Sequence, residues 1–370
     1  MSHHSPHDTA SFSGIPWHMF AALRQRAEVR RFIEVPPFDL QDALSGGRAG
    51  RRELQEAGAA ASRALRGAGA DVVLCLGGAP APYLDSTAPV VQWHDSTWHA
   101  LLGLPFDDFA HAHPFLREWD QRTLDRCSLI AYAADWVRED TLAHYDTDPD
   151  RVAVVPFGAN LPTPPDAAPN ALAAARGGAP LRLAFVGVDW RRKGLVLAHR
   201  LTTRLNRLGV PTELTVAGPV IDGDATGNWA GDCGGLELAA LRADPLVRLL
   251  GFVDKATAAG RDTLMRLLLD SHYLAHPAEF ECFGVVLAEA AACGLPVLAV
   301  DAYGPRSVVR DGRTGHLFPA AGFVTGASAV VQAHLADPAA YLAEVRAARA
   351  EYEARLNWRS CVDRLLRLVA

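Results

Sequence analysis

The sequence predicts an α/β protein built from two doubly wound domains, each around a parallel sheet. Three observations predict this. The chain has 370 residues, 49% hydrophobic and 21% charged, an ordinary globular composition at a length that suits two domains better than one. Short continuous apolar runs, such as Asp71–Leu76 and Pro89–Trp93, are bounded by glycine or polar residues, as strands buried on both faces are. Helical patterns of ten or more residues alternate with these runs.

Residues 1–13 are polar and His-rich with no strand-like run, so the opening strand of the first domain is expected to be missing. A helix is predicted over Met19–Arg26. Ser13 and Gly14, just before it, would offer backbone amides at a helix N-terminus. An apolar run at Phe32–Val35, a helix over Arg51–Gly67 and strands at Asp71–Leu76 and Pro89–Trp93 follow. His94 and Asp95 close the last of these, at a carboxyl strand end, where open α/β sheets bind ligands. They equally suit a capping turn for the next helix. Cys127–Ala131 is a strand, Asp135–Tyr145 a helix, and Arg151–Asn160 a strand running into a turn. Residues 160–180, rich in Pro and Ala with Gly177-Gly178, are expected to be the linker, which ends the first domain near residue 165.

The second domain opens with the strand Leu181–Val188, the loop Asp189-Trp-Arg-Arg-Lys-Gly194 and a helix over Leu195–Leu208. Lysine occurs only at 193 and 255 among many arginines, so Lys193 in a glycine-bearing loop stands out. Arg192 and Lys193 are placed to pair with diphosphate oxygens. Strands are predicted at Thr212–Ala217 and Arg248–Phe252, with Val253-Asp-Lys255 ending the second, and a helix over Ala259–Leu269. Asp222-Gly-Asp224 copies a DxD metal motif but is expected to be a turn, as is Asp146-Thr-Asp148.

The richest stretch is His276–Phe318. The apolar strand Tyr273–His276 ends at Pro277, a polar loop carries Glu279 and Glu281, and Gly284 opens a helix. The free amides of Val285 and Val286 would favour an anion. Glu281 and Glu289 flank that N-terminus as acceptors for hydroxyls. A sugar and a ribose joined by two phosphates present hydroxyls at both ends and anionic oxygens between, which matches carboxylate, amide, carboxylate. Beyond it come a strand at Thr314–Phe318, a helix over Val324–Leu335 and two helical patterns through Tyr341–Leu368, the last amphipathic from Trp358.

The run Glu281-Cys-Phe-Gly-Val-Val-Leu-Ala-Glu289, followed by Ala292-Cys-Gly-Leu-Pro-Val297, resembles the E-x7-E signature of retaining glycosyltransferases of the GT-B fold, glycosyltransferase family 4. The resemblance implies two Rossmann-like domains facing across a cleft: residues 1–165 for the acceptor and 166–355 for the nucleotide sugar. A terminal helix, 356–370, would cross back to the first. It implies that Glu281 holds sugar hydroxyls and Glu289 the ribose, and that Lys193 with an adjacent arginine stabilises the leaving diphosphate without a metal. Gly14, Gly187, Phe283, Gly284 and Val285 would border the donor. Phe252 or Val253 would pack on the base and Asp254 would accept a hydrogen bond from it. His94 or Asp95 would sit near the reacting sugar. In one departure, many relatives carry arginine after the glycine at 187, where this chain has Val188; Arg191 or Arg192 is expected to take that role. No cofactor is expected; the donor would be UDP- or GDP-linked and the acceptor a glycan or small molecule.

The net charge of −6 and pI near 6.2 argue against general nucleic-acid binding. No apolar stretch reaches membrane-spanning length and no signal-peptide pattern appears. The six cysteines lack zinc or disulfide spacing, as reduced cytoplasmic thiols would. No G-x-G-x-x-G lies between strand and helix, which disfavours a dinucleotide enzyme. A sugar-nucleotide epimerase, a phosphorylase and a catalytically idle binding module remain the rival readings.

Overall fold

The computed structural model describes residues 2, 6–7, 11–35, 48–77, 80–101, 113–161, 166–218 and 238–370. The chain divides into two compact units, residues 1–157 with 358–370, and residues 158–357. The division thus falls at Phe157/Gly158, ahead of the boundary expected near residue 165.

The first unit contains α1 (Ile15–Arg26), α2 (Arg48–Leu65), β1 (Val73–Leu76), β2 (Val90–His94), α3 (Trp98–Leu101), α4 (His113–Arg126), β3 (Leu129–Tyr132), α5 (Asp135–His144) and β4 (Val152–Val154). Its four described strands lie in the order β1-β2-β3-β4, all parallel. Parallel neighbours require crossovers, which the helices supply. Trp93 is fully buried, and its indole N–H donates to the Val155 carbonyl at 2.8 Å. The rings of Phe157 and Trp358 close around it at 5.7 and 5.8 Å. The run at Phe32–Val35 forms only an isolated bridge: Glu34 pairs in parallel with Ser2. Pro36 and Pro37 follow at once, and proline cannot extend a ladder. Helix α4, which the sequence reading did not pick out, packs Leu116 and Trp119 inward from a strongly charged segment.

The second unit begins with α6 (Pro169–Arg176), inside the segment expected to be linker. Arg176 explains why it is ordered. Its buried guanidinium donates to the carbonyls of Cys293 at 2.7 Å and Gly294 at 2.9 Å. There follow β5 (Leu181–Val186), α7 (Leu195–Arg207), β6 (Thr212–Ala217), α8 (Leu238–Ala243), β7 (Val247–Gly251), α9 (Ala258–Asp270), β8 (Tyr273–His276), α10 (Val285–Ala292), β9 (Val297–Val300), α11 (Tyr303–Val308), β10 (Gly315–Phe318), α12 (Phe323–Ala336) and α13 (Pro338–Arg355). The remaining helix, α14 (Trp358–Val369), belongs to the first unit and packs against α1 there, where Arg26 and Asp363 form an ion pair at 2.5 Å.

The six strands of the second unit are all parallel in the order β10-β9-β8-β5-β6-β7. The chain builds outward from β5 to β7, then returns to the other side of β5, so the winding reverses between β5 and β8. Such a switch point is where the loops leaving two adjacent strands turn apart and leave a crevice at the carboxyl ends. The register reflects this: β5 and β6 pair along six positions, whereas β5 and β8 pair only at Leu183–Tyr273 and Ala184–Leu274. Leu183, Phe185, Leu214 and Val216 pack against Leu195, Ala198, Leu201 and Leu205 of α7 and Phe323, Ala327 and Val331 of α12. That helical spacing of apolar residues keeps α7 fixed on the sheet and its N-terminus fixed at the switch point.

Candidate active site

The two loops at the switch point are Gly187–Gly194, between β5 and α7, and Pro277–Gly284, between β8 and α10. They touch because residue 194 has no side chain: with φ +77°, a Cβ there would lie 2.2 Å from the Pro277 carbonyl oxygen. A Cβ at residue 187 would lie 2.7 Å from Lys193 Cγ, so Gly187 lets the lysine fold back over the strand end. Lys193 Nζ then donates to Glu281 Oε2, both side chains being 14% exposed. Arg192 lies alongside. It is paired with Asp189 at 3.1 Å and donates to the Phe280 carbonyl, also at 3.1 Å, which ties one loop to the other. Arg191 instead turns outward over the Trp190 ring at 5.1 Å, and Val188 is exposed. Of the two arginines offered to replace the missing one, Arg192 is thus the one that faces the Glu281 loop.

Burial, reinforced by the neighbouring Arg192 cation, pushes the Lys193 ammonium down to about 7. His276, the last residue of β8, is buried with Nε2 at 3.4 Å from Glu281 Oε2. Desolvation together with Lys193 and Arg192 holds it well below the usual histidine range, so it stays neutral.

Glu281 precedes α10 and Glu289 lies within it. Gly284 is the N-cap at φ +86°, and having no side chain it leaves the first-turn amides of Val285 and Val286 uncapped. Gly194 before α7 and Gly14 before α1 are left-handed N-caps of the same kind. Glu289 is 0% exposed. Its Oε1 accepts from Lys255 Nζ at 2.6 Å, while Oε2 is buried with no hydrogen-bond partner among the described residues. Phe252, at the end of β7 just before Lys255, is 59% exposed. Asp254 Oδ1 accepts from the Ala256 amide at 2.8 Å. Phe283 is buried, so its side chain serves the core and only its backbone can border a ligand.

Residues 176–353 match the family model of Glycosyl transferases group 1. That segment contains Lys193, Lys255, Glu281 and Glu289. Among curated proteins, the chain is 35% identical over 235 residues to the D-inositol 3-phosphate glycosyltransferase of Streptomyces scabiei, covering 60% of this chain and 45% of that one. It is 33% identical over 181 residues to the glycogen synthase of Mycobacterium tuberculosis, covering 49% and 40%. The chain spans about half the length of the curated relatives it matches. Among solved structures, the sucrose-phosphate synthase of Thermosynechococcus elongatus superposes with TM-score 0.64 at 17% identity over 93% of this chain and 81% of that one. WaaG, a glycosyltransferase involved in lipopolysaccharide biosynthesis, does so with TM-score 0.59 at 20% identity over 91% and 86%. At such identities the likeness concerns the fold, and the fold is GT-B, two parallel-sheet α/β domains.

Two residues of the group 1 segment carry contacts that the sequence reading passed over. Lys255 was visible as one of only two lysines in the chain. His276 was visible only as the carboxyl end of an apolar strand.

In the first unit, His94 closes β2. Its Nδ1 lies 2.5 Å from the Ser96 carbonyl and 3.3 Å from the Ser96 amide, and Nε2 lies 3.8 Å from Asp95 Oδ1. Burial raises the Asp95 carboxyl, partly offset by His94. Phe12 (φ 47°) and Ser13 (φ 58°) are left-handed without being glycine. Such residues cost on the order of 1–3 kcal/mol each and gather at ligand-binding loops. The Phe12 ring stacks on His94 at 6.3 Å, which ties the loop before α1 to the end of β2. The sequence Asp222-Gly-Asp224 lies outside the described residues; Asp148 of the other DxD copy caps a short turn through the Asp150 amide. Among the described residues, no helix is long and apolar enough to cross a membrane.

Proposed function

We propose that the chain is a retaining, metal-independent glycosyltransferase of family 4, which transfers a sugar from a UDP- or GDP-linked donor to an acceptor hydroxyl. One observation carries this reading: the two lysines of the whole chain each hold one of the two glutamates of the E-x7-E run. The diphosphate lies against Lys193, Arg192 and the uncapped amides of α7 and α10, which balance the charge that grows as the nucleotide departs. Glu281 holds sugar hydroxyls and so orients the anomeric carbon. Glu289 accepts from the ribose through the oxygen that Lys255 does not occupy, and Phe252 with Asp254 borders the base. On the first unit, His94, Asp95 and the amides around Gly14 serve the reacting sugar and its acceptor.

Glu281 is not assigned as a nucleophile. A double displacement needs two carboxylates flanking the anomeric carbon, and Glu289 is committed to Lys255 in the interior of α10. Retention then rests on same-face attack, with the leaving phosphate taking up the acceptor proton. The test is release of nucleotide diphosphate from a panel of UDP-, GDP- and ADP-sugars in the presence of EDTA. Slow hydrolysis of one donor, abolished by Glu281→Ala and by Lys193→Ala, is the expected result. Turnover that survives both substitutions, or that appears only on adding a divalent metal, overturns the proposal.

A further inference from the structure

At the amino-terminal end of β8, the end away from Glu281, three side chains from separate elements converge: His316 of β10, His334 of α12 and Glu344 of α13. His316 Nε2 lies 2.5 Å and His334 Nε2 3.4 Å from the same oxygen, Glu344 Oε1. The histidine side chains are 20% and 9% exposed, the glutamate 7%. Glu344 Oε2 is buried and has no hydrogen-bond partner among the described residues. A network built only to satisfy two imidazole donors would place one on each carboxylate oxygen. Here both nitrogens approach one oxygen and the second, buried, is left over; a cation taken up among the three side chains, in place of the His316–Glu344 hydrogen bond, would engage the carboxylate and both imidazoles.

The surroundings have the character of a metal shell. His334 Nδ1 contacts the Tyr273 hydroxyl at 2.8 Å, which orients the ring with Nε2 toward the cluster. Phe318 stacks on His316 at 6.1 Å, and Tyr341 lies edge-on to His334 at 5.9 Å, an apolar surround that limits water. Two imidazoles and one carboxylate are a donor set that zinc and similar divalent ions accept, with a fourth position for water.

We propose that His316, His334 and Glu344 bind a divalent cation of the zinc type, which fastens β10, α12 and α13 together. This site is independent of the donor site and lies at the opposite end of β8. The other histidine–carboxylate group, His99, Asp140 and His144, differs: both Asp140 oxygens have a partner, Oδ1 the Nδ1 atoms of His99 and His144 at 3.1 Å and Oδ2 His99 Nδ1 at 3.0 Å, and the His144 side chain is 42% exposed. It serves as the control.

The experiment uses the full chain, stripped with EDTA and titrated with Zn2+ against a chromophoric chelator. One equivalent is expected to bind with Kd at or below about 10 µM. It should be lost in Glu344→Gln and in His316→Ala, and kept in Asp140→Asn and in a variant with His3, His4 and His7 replaced by alanine. Saturating Zn2+ at a hundred times Kd raises the Tm of the wild type by about 5–10 °C and leaves that of Glu344→Gln unchanged. Co2+ in the wild type gives visible absorption of a histidine–carboxylate site, which tests the idea without any variant. Absence of zinc binding in the wild type overturns the proposal. So does an equivalent that survives Glu344→Gln and His316→Ala or is lost from either control.

Discussion

Lys255→Ala should destabilise the helix that carries the candidate site. Glu289 is wholly buried, and its cation is Lys255 at 2.6 Å. Removing one partner of a buried pair strands the other's charge, at about 3–5 kcal/mol where no water can enter. One feature reduces that here: Lys255 is 27% exposed, so water fills part of the vacated space. The expected loss is therefore about 2–3 kcal/mol. Hydrogen exchange of the α10 amides reads it directly: protection relative to wild type falls roughly 30- to 150-fold. Lys255→Ala/Glu289→Gln, which removes the stranded charge, should recover most of the protection. Undiminished protection in Lys255→Ala, or no recovery in the double variant, would refute the assignment of Lys255 as the buried glutamate's counter-charge.

Three further predictions follow from the same geometry. Lys193 has an ammonium pushed down to about 7, and a bound diphosphate restores its proton. Nucleotide diphosphate affinity measured by calorimetry should thus be flat below pH 7 and fall by up to about tenfold per unit above it; a flat profile from pH 6 to 9 contradicts this. Gly194→Ala puts a Cβ 2.2 Å from the Pro277 carbonyl oxygen at φ +77°, and should cost about 2–4 kcal/mol with loss of nucleotide binding; a thermal melt unchanged from wild type counts against the close loop contact. Arg176→Ala leaves the buried carbonyls of Cys293 and Gly294 without their donor and should cost about 3 kcal/mol or more in urea unfolding. Arg176→Lys should fail to rescue it, because an ammonium lacks the planar fork that reaches both carbonyls.

Much of this was written locally in the chain. β6 and β8 run over the predicted residues, Thr212–Ala217 and Tyr273–His276; β8 is buried at every position, as its apolar run requires, whereas β6 leaves Glu213 exposed. What escaped was decided at a distance. The segment around α6 reads as linker by composition, and is ordered through Arg176, whose acceptors lie more than a hundred residues later. Phe32–Val35 has the apolar content of a strand, but the prolines after it and a single bridge to Ser2 limit it. At the candidate site, the positions of Glu281, Glu289 and Lys193 were legible from motif and spacing. The partner of each was not, because pairing across 88 residues or 34 leaves no mark in either segment alone.

The use of lysine at these two positions has a physical reading. Every other basic residue of this chain is arginine or histidine, so the general preference is for the guanidinium. A guanidinium clamps a carboxylate through two parallel bonds and keeps its charge at any pH a protein meets. An ammonium holds the same oxygen as a point charge on a flexible stem and, when buried, can release its proton. If the two glutamates serve as proposed, Glu281 must exchange its protein partner for ligand hydroxyls and Glu289 must keep its second oxygen open beside Lys255; a single-point contact permits both, whereas a fork would have to be dismantled or would take both oxygens. Arginine appears beside them where exchange is not wanted: Arg192 tying the two loops through the Phe280 carbonyl and Arg176 holding the end of α10. Lys193→Arg and Lys255→Arg therefore separate charge from single-point contact. If charge alone matters, both variants bind nucleotide diphosphate and turn over like wild type. If the single-point contact matters, they keep the fold and lose donor turnover about as far as the alanine variants do.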